Sequence, residues 1–218
     1  MTPPLELEII PVVSHLFDEN AYIVRRVGDP RAVVVDPGAD ADTIERTLQD
    51  NKLHLQAILN THGHADHIAG NEFLKRCWPE APIVVGQGDA AKLRDPHANL
   101  SAPFGVPIVS PAPDDLVQEG DSIEWAGLPM VVRATPGHSA GHVVFVVTGA
   151  APWRVFGGDV LFAGGIGRSD FPDSDPAALV ESIRSVLYSM PDDTIVYPGH
   201  GPPTTIGRER TTNPFVRG

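Results

Sequence analysis

The sequence predicts an α+β fold with two layers of sheet, built as a single domain over residues 1–218. Three observations support this prediction. A chain of this length buries an ample core without dividing into several domains. Short apolar runs rich in valine alternate with helix-type periodicity, and strands, a helix and a loop of candidate ligands occur in both halves. No repeat of about 20 to 50 residues and no low-complexity linker interrupts the chain.

The first half is predicted to build one of the sheets. Three consecutive strands precede an Asp-Pro-Gly-Ala-Asp turn, which leads into a helix. The next strand ends where a histidine-rich stretch begins, and α/β sheets usually place their sites at such strand ends. The expected strands are 6–13, 21–27, 32–35, 53–59 and 83–85, and the expected helices are 42–50, 68–78 and 89–93.

The second half follows a long loop. Residues 94–113 are rich in proline and small residues without periodicity, and loops of that length are often lids or binding segments. A hairpin around Gly127 is expected, and Asp175 is placed to cap an amphipathic helix. The expected strands are 116–125, 130–134, 143–147, 155–156 and 194–197, the expected helices are 176–190 and 206–212, and 164–171 is expected to be a flexible loop.

Composition limits the partners and the compartment. The chain has 16 basic and 28 acidic residues and no block of Lys or Arg, which argues against a nucleic-acid substrate. No apolar run reaches the length of a membrane span, and the first residues lack a leader pattern, so a cytoplasmic protein without membrane contact is expected. The single cysteine, Cys77, excludes an intramolecular disulfide and is expected to pack in the core.

Residues 60–67 read Asn-Thr-His-Gly-His-Ala-Asp-His and place four metal-type ligands within six positions. Alternate side chains of an extended segment point the same way, so His62 and His64 can present two imidazoles to one ion. Asp66 and His67 follow where the chain bends into a helix, and from there they can reach a second ion. Because no packing role requires this density, the spacing indicates a site for two metals.

Three later positions repeat a strand-end pattern that suits further ligands. His138 and His200 each follow a strand and a Pro-Gly pair, and Asp159 follows two glycines at a strand end, although aspartate is also a common turn former. His142 begins the next strand and is expected to orient a ligand by a hydrogen bond. The remaining histidines, His15, His54 and His97, are expected to be surface or core residues without a metal role.

The seven candidate ligands together resemble the metallo-β-lactamase superfamily, which has a His-x-His-x-Asp-His signature and three later single ligands. The resemblance implies a four-layer αββα sandwich with the site along one edge. It also matches Asp36, in Val-Asp-Pro-Gly, to an early aspartate that supports the metal loop without binding metal. The seven are His62, His64, Asp66, His67, His138, Asp159 and His200.

Within the superfamily, segments 135–142 and 158–162 are most similar to the glyoxalase II group, the hydroxyacylglutathione hydrolases and their short bacterial relatives. Lactamases of the commonest class carry a cysteine where Asp159 stands, so lactamase activity is not expected. Zinc is the first expected metal for such nitrogen and oxygen ligands, and iron or manganese are compatible. The resemblance implies one ion on His62, His64 and His138, a second on Asp66, His67 and His200, and Asp159 as a bridge.

The expected reaction is hydrolysis of a thioester such as a hydroxyacylglutathione. Two cations about 3.5–4 Å apart acidify a bridging water, and the resulting hydroxide attacks the substrate carbonyl. Asp66, or the metal-bound solvent, is expected to manage the proton, which makes Asp66 the candidate catalytic residue. The implied partner is therefore a small molecule, possibly a glutathione conjugate.

Other activities stay open from the sequence. A mononuclear iron dioxygenase acting on glutathione persulfide would use His62, His138 and Asp159 as a facial set. Arg168, in Gly-Arg-Ser-Asp-Phe, resembles a persulfide dioxygenase arginine that contacts glutathione, although it reads equally well as an exposed solvated side chain. The helical extension that supplies much of the glutathione contact in full-length glyoxalase II has no counterpart after His200. Lactone or small phosphoester hydrolysis, and a non-catalytic metal-bearing module, are further alternatives.

Overall fold

A computed structural model describes residues 4–218, and the first three residues, which the predicted domain and the leader argument included, lie outside the described residues. Two six-stranded sheets carry the fold. The first is formed by β1 (Leu7–Val13), β2 (Asn20–Arg26), β3 (Arg31–Val35), β4 (His54–Asn60), β5 (Ile83–Gly86) and β6 (Asp115–Val117), in that order. The second sheet is formed by β7 (Ser122–Trp125), β8 (Leu128–Ala134), β9 (Val143–Val147), β10 (Arg154–Gly158), β13 (Ile195–Pro198) and β14 (Thr204–Thr205). Its strand order is β14-β13-β10-β9-β8-β7. A separate hairpin is formed by β11 (Leu161–Phe162) and β12 (Gly165–Ile166).

The helices cover the outer faces of the two sheets. Two 3₁₀ segments, Gln87–Arg94 and Ala102–Phe104, lie in or beside the loop that follows β5. Among residues 4–218, no helix combines the length and the hydropathy that crossing a bilayer requires. The helices are α1 (Ala41–Asp50), α2 (Ala65–Ile68), α3 (Asn71–Cys77), α4 (Pro176–Ser182), which continues as a π-helical turn over Ile183–Leu187, and α5 (Ile206–Thr212).

Three apolar cores establish the layer order. Alternation along β3 sends Val34 toward the helices beside the first sheet and Val33 into the space between the sheets, where it joins Phe145 of β9. A third core packs the outer face of the second sheet against α4, with Val144 and Leu179 both fully buried. The arrangement is the predicted four-layer αββα sandwich, so that prediction is confirmed.

The strand predicted over 116–125 is wrong as one element. Its start, β6, pairs parallel with β5 in the first sheet, whereas its end, β7, pairs antiparallel with β8 in the second. A turn separates the two parts, because the Gln118 N–H donates to Asp121 Oδ2 at 2.9 Å and the Gly120 N–H donates to the Val132 carbonyl at 2.9 Å. Residues 118–121, Gln-Glu-Gly-Asp, are polar and contain a glycine, which is typical of a turn between two strands.

The helix predicted over 68–78 is divided into α2 and α3 at Gly70. The backbone there packs directly on the turn after β3, and a Cβ at Gly70 would lie 2.7 Å from the Gly38 carbonyl oxygen. The Gly70 N–H donates to the Pro37 carbonyl at 2.8 Å, which fixes this contact. Helix α3 buries Leu74 and leaves Cys77 exposed, so the expectation that Cys77 packs in the core is wrong.

Two further segments differ from their predictions. The segment 164–171, expected as a flexible loop, begins with β12, which closes a hairpin on β11 through Leu161 and Ile166. The predicted 94–113 loop contains a 3₁₀ turn and buries the polar side chains of Asn99 and Ser101. These local hydrogen-bonded turns have no apolar periodicity that would identify them in the sequence.

Candidate metal centre

The histidine-rich segment leaves β4 at one edge of the first sheet and runs into α2. Asp36 holds Thr61, the residue before His62, because the N–H and the hydroxyl of Thr61 donate to its two carboxylate oxygens, each at 2.7 Å. The Thr61 hydroxyl has one proton to give, so its 3.1 Å contact with His62 Nδ1 places the imidazole proton on that nitrogen. His62 Nε2 is therefore left with a lone pair, as a metal ligand needs.

His138 is oriented in the same way by a backbone carbonyl. It lies between β8 and β9, and its Nδ1 lies 2.7 Å from the Arg168 carbonyl oxygen. A carbonyl only accepts, so Nδ1 donates and the lone pair of Nε2 points inward. That Nε2 lies 2.9 Å from His64 Nδ1, which shows that two nitrogen atoms from different sheets converge on one point.

Asp159 follows β10 and is positioned by His142. The Asp159 N–H donates to His142 Nε2 at 3.1 Å, so the proton of that imidazole is on Nδ1, which lies 2.9 Å from the Thr135 hydroxyl. His142 thus makes the orienting hydrogen bond expected of it. The Asp159 carboxylate spans the centre, with Oδ1 3.4 Å from His67 Nε2 and Oδ2 3.6 Å from His138 Nε2.

His200 completes the group from the end of β13. Its Nδ1 lies 3.2 Å from the Asp18 carbonyl oxygen, and its Nε2 lies 3.3 Å from Asp66 Oδ2 and 3.6 Å from Asp159 Oδ2. The preceding residue is glycine because the backbone passes close to the centre, and a Cβ at Gly199 would lie 2.2 Å from Asp159 Oδ1.

All seven predicted ligands meet at this edge of the sandwich. They form three overlapping groups in which one ligand atom per residue lies within 4.8 Å of the others: His62, His64 and His138; His62, His67 and Asp159; and Asp66, His67 and His200. The three other histidines lie elsewhere. His15 is exposed beside Asp40, His54 is exposed against the Trp78 ring, and His97 is an exposed residue of the 94–113 loop.

Unsatisfied polar atoms in the cluster fit a bound cation. The buried atoms His62 Nε2, His67 Nε2 and Asp159 Oδ1 have no hydrogen-bond partner among the residues that the structure describes. Leaving such groups buried and unpaired is costly unless another ligand satisfies them. Imidazole nitrogen and carboxylate oxygen suit divalent transition metals, so the cluster is capable of binding metal ions.

The electrostatics of the cluster also favour a positive charge. Burial lowers the pKa of His64 to about 3 and lowers that of His62, so both imidazoles are neutral and can offer lone pairs. Burial acts to raise the pKa of Asp159, but the positive charge of His67 outweighs it and holds the pKa low. Burial likewise acts to lower the pKa of His67, but the charges of Asp66 and Asp159 outweigh it and raise the pKa. The carboxylates therefore stabilise positive charge at this point.

A buried network that the sequence did not reveal ties the two ligand segments together. The carboxylate of Asp89 accepts from the N–H of Gly63 and the N–H of Gly141, both at 2.8 Å, and from the Ser139 hydroxyl. The ammonium of Lys92 donates to that hydroxyl and to Asp173 and lies 3.3 Å from Asp89. Because the three groups that donate to Asp89 are 26 to 52 positions away, no local pattern identifies its role.

Glu19 is a second buried group without a sequence signal. Its two carboxylate oxygens have no hydrogen-bond partner within the described part of the chain, and burial raises its pKa well above the ordinary value. Backbone pairing with His200 brings it beside the cluster. Its place in the turn between β1 and β2 would suggest a solvated side chain.

The predicted substrate residue, Arg168, lies at the rim of the cavity beside the cluster. Its side chain is 68% exposed and makes a bidentate pair with Asp170, with both N···O distances 2.9 Å. The guanidinium also lies 4.4 Å from the centroid of the Phe171 ring. Its backbone carbonyl, and not its side chain, contacts the cluster.

Comparison with known proteins agrees with this geometry. Residues 16–200 match the family described as Metallo-beta-lactamase superfamily. The Hydroxyacylglutathione hydrolase GloC of Haemophilus influenzae is 34% identical over 215 residues, which cover 97% of this chain and 98% of that protein.

Two solved structures share the architecture. The crystal structure of the BLEG-1 B3 metallo-beta-lactamase superposes with a TM-score of 0.91 at 35% identity, covering 97% of this chain and 100% of the other. TTHA1623, solved in a di-iron-bound form, superposes with a TM-score of 0.83 at 37% identity, covering 95% of this chain and 100% of the other.

Proposed function

Since the chain belongs to the metallo-β-lactamase superfamily, we propose that it is a metal-dependent hydrolase that cleaves a thioester. The observation that carries the proposal is the set of buried, unpartnered imidazole and carboxylate atoms gathered at one edge of the sandwich. The near-complete alignment with a protein named as a hydroxyacylglutathione hydrolase supports the thioester and makes a hydroxyacylglutathione the first substrate to test. A single domain over the whole chain and a cytoplasmic location remain part of the proposal.

Two ions are assigned to the cluster. His62, His64 and His138 would hold one, Asp66, His67 and His200 would hold the other, and Asp159 would bridge them. The position of Asp159 supports the bridge, because its Oδ2 lies 3.6 Å from both His138 of the first trio and His200 of the second. Zinc is the first choice for this ligand set, and iron or manganese suit it as well. When bound, such a pair lowers the pKa of a water molecule and polarises a substrate carbonyl.

The chain's own residues supply the rest of the chemistry. Asp66 lines the cavity, and its pKa is low because the charges of His67 and His200 outweigh the effect of burial. It is therefore ionised, and its place in the cavity lining makes it the candidate to take the proton of the attacking water. Asp36, His142 and the Arg168 carbonyl hold the ligand side chains in their orientations, and this preorganisation reduces the reorganisation needed during the reaction.

Metal analysis followed by activity assays tests the proposal. Protein purified without added metal would be analysed for its elements, loaded with zinc, iron or manganese, and assayed anaerobically for release of thiol from lactoyl-glutathione. His62→Ala and Asp159→Ala should abolish turnover while the fold survives, and His97→Ala, at an exposed loop histidine, serves as the matched control. Full activity in either of the first two variants would refute the assignment.

The same assays separate the alternative activities. A mononuclear iron dioxygenase would contain one iron per chain and consume oxygen with glutathione persulfide. Two members of its facial set are neighbours, because Asp159 Oδ2 lies 3.6 Å from His138 Nε2, but its expected arginine is already paired with Asp170. A lactone, a small phosphoester and a β-lactam complete the substrate panel, the last because of the structural similarity to a B3 enzyme.

A further inference from the structure

A cavity of about 500 Å³ opens directly on the candidate metal centre, and its walls are mostly apolar. Asp66, His138 and Asp159 lie among its lining residues, at the catalytic end. One wall comes from the loop after β1 and from the 94–113 loop, and the other from the β11–β12 hairpin and the segment after it. The apolar lining side chains are Leu16, Phe17, Leu100, Phe104, Val106, Ile108, Phe162, Ile166 and Phe171.

Three side chains of the first wall are unusually exposed for their type. Leu16, Phe104 and Val106 expose 66%, 72% and 65% of their surface. Phe104 packs edge-to-face on Phe17 with the ring centroids 6.4 Å apart, which joins the two loops into one apolar surface. Exposed apolar groups gathered at the mouth of a cavity gain free energy when a ligand covers them.

Away from the candidate metal centre, the walls of the same cavity offer little to an anionic ligand. Arg168 is the one basic Lys or Arg side chain among the lining residues of the described chain, and Asp170 already neutralises it. The polar lining groups of Asn99 and Ser101 are buried and committed within their own loop, through hydrogen bonds of 2.9 Å to the Ile108 carbonyl and 2.6 Å between the two side chains. The chain as a whole carries a net charge of -12. A small hydroxylated or carboxylated acyl group would therefore leave most of the wall in contact with water.

We propose that the acyl group of the substrate is apolar, an aromatic or alkyl group that binds against Leu16, Phe104 and Val106 while its carbonyl carbon faces the metal centre. This inference rests on the proposed thioester hydrolysis and names its substrate class. In the reaction, a water oxygen bonds to the acyl carbon and the C–S bond breaks with its electron pair on sulfur. The proton that the water loses goes to the thiolate sulfur, so the products are a carboxylic acid and a thiol.

An acyl series on one thiol measures the preference. Lactoyl, hexanoyl and phenylacetyl thioesters of glutathione would be compared through kcat/KM with the metal-loaded protein. The kcat/KM values for the hexanoyl and phenylacetyl thioesters should exceed that for the lactoyl thioester by about tenfold or more, which is roughly the selectivity that a few buried carbon atoms provide. Equal values, or a preference for lactoyl, would overturn the inference while leaving thioester hydrolysis intact.

A matched pair of variants locates the preference. Phe104→Ser should lower the ratio of kcat/KM for phenylacetyl to that for lactoyl by roughly tenfold. Phe215→Ser removes a side chain that is 65% exposed and lies outside the cavity lining, so it should leave that ratio unchanged. An unchanged ratio in Phe104→Ser would contradict the assignment to this wall.

Binding without turnover separates the two proposals. The thioethers S-hexylglutathione and S-methylglutathione have no acyl carbonyl, and calorimetry should show the hexyl compound binding tenfold or more tightly, with the difference lost in Phe104→Ser. If this difference appears but no thioester is cleaved, the proposed function fails and the apolar site stands. If the two thioethers bind equally, the apolar site is refuted whatever the enzyme cleaves.

Discussion

Asp89 accepts a hydrogen bond from the N–H of Gly63 at 2.8 Å, inside the His-x-His segment, although it belongs to a different part of the chain. The same carboxylate accepts from Gly141 in the other sheet's ligand loop. One fully buried side chain thus joins the two halves of the metal centre. Both ligand loops have to be held at fixed separation if imidazoles from different sheets are to share one ion.

Replacing Asp89 tests this connection. Asp89→Asn puts an amide donor where one backbone donor now finds an acceptor, so we expect a loss of about 2 to 3 kcal/mol in the free energy of unfolding. The metal content of Asp89→Asn should also fall, because the two ligand loops are no longer held together. Urea denaturation and elemental analysis provide the measurements. Asp42→Asn, at an exposed pair with Arg46, is the control and should cost less than about 1 kcal/mol.

Asp36 gives a second prediction, about ligand orientation. In Asp36, Oδ1 accepts from the Thr61 N–H and Oδ2 lies 3.1 Å from His67 Nδ1. Asp36→Asn replaces one of these two oxygens with an NH₂ group, which donates where an acceptor is needed. We expect metal affinity to fall about 10- to 100-fold, measured by competition with a chelator. Asp50→Asn, at the exposed end of α1, should bind metal normally. Unchanged affinity in Asp36→Asn would show that His67 needs no such support.

Much of the architecture and the ligand set followed from local sequence signals. His62, His138, Asp159 and His200 each follow a strand end and stand next to glycine, and such ends meet at one edge of a sheet, so their convergence was predictable. Asp89 and Lys92 were not predictable, because their partners are distant in sequence and the segment resembles an ordinary short helix. The sheet partners of 116–125 were likewise hidden, because the polar residues 118–121 mark a turn but do not show that the strands on either side of it pair in different sheets.

Arg168 and Asp170 allow a test of thiol recognition. Because the pair neutralises the guanidinium, Asp170→Asn should free it to bind a carboxylate and lower the KM for a glutathione thioester up to about fivefold, in keeping with the small free energy of exposed pairs. The KM for an N-acetylcysteamine thioester, which has no carboxylate, should not change. If the KM falls for both thioesters, Asp170 affects binding of the acyl group that they share and not binding of the glutathione carboxylate.

Tyr188 predicts how stability depends on alkaline pH. Burial, followed by the charge of Glu209, raises its pKa to about 12, and its hydroxyl donates to the Val216 carbonyl at 2.7 Å. The folded state therefore retains the phenolic proton above the usual pKa near 10. The protonated Tyr188 therefore contributes to the free energy of unfolding. This stabilisation is fully present below about pH 10 and is lost as the pH rises through about 12. Denaturation at several pH values should show this decline in the wild type and a weaker one in Tyr188→Phe.

Gly199 provides the sharpest test of a two-ion centre. A Cβ there would lie 2.2 Å from Asp159 Oδ1 and 2.6 Å from His67 Cε1, so Gly199→Ala must displace the proposed bridging carboxylate or a proposed ligand of the second ion. None of His62, His64 and His138 is among the nearest neighbours of that Cβ, so this trio should still hold one ion. We therefore expect elemental analysis to find the metal content reduced from two ions per chain to one.

The control for Gly199→Ala is Gly165→Ala, whose Cβ would meet only Phe162 carbons at 3.6 and 3.8 Å and should leave both ions bound. Two ions retained in Gly199→Ala would mean that Asp159 and His67 do not share a metal. Loss of both ions with an intact fold would mean that the first trio depends on the bridge, because Asp159 then contributes to both sites.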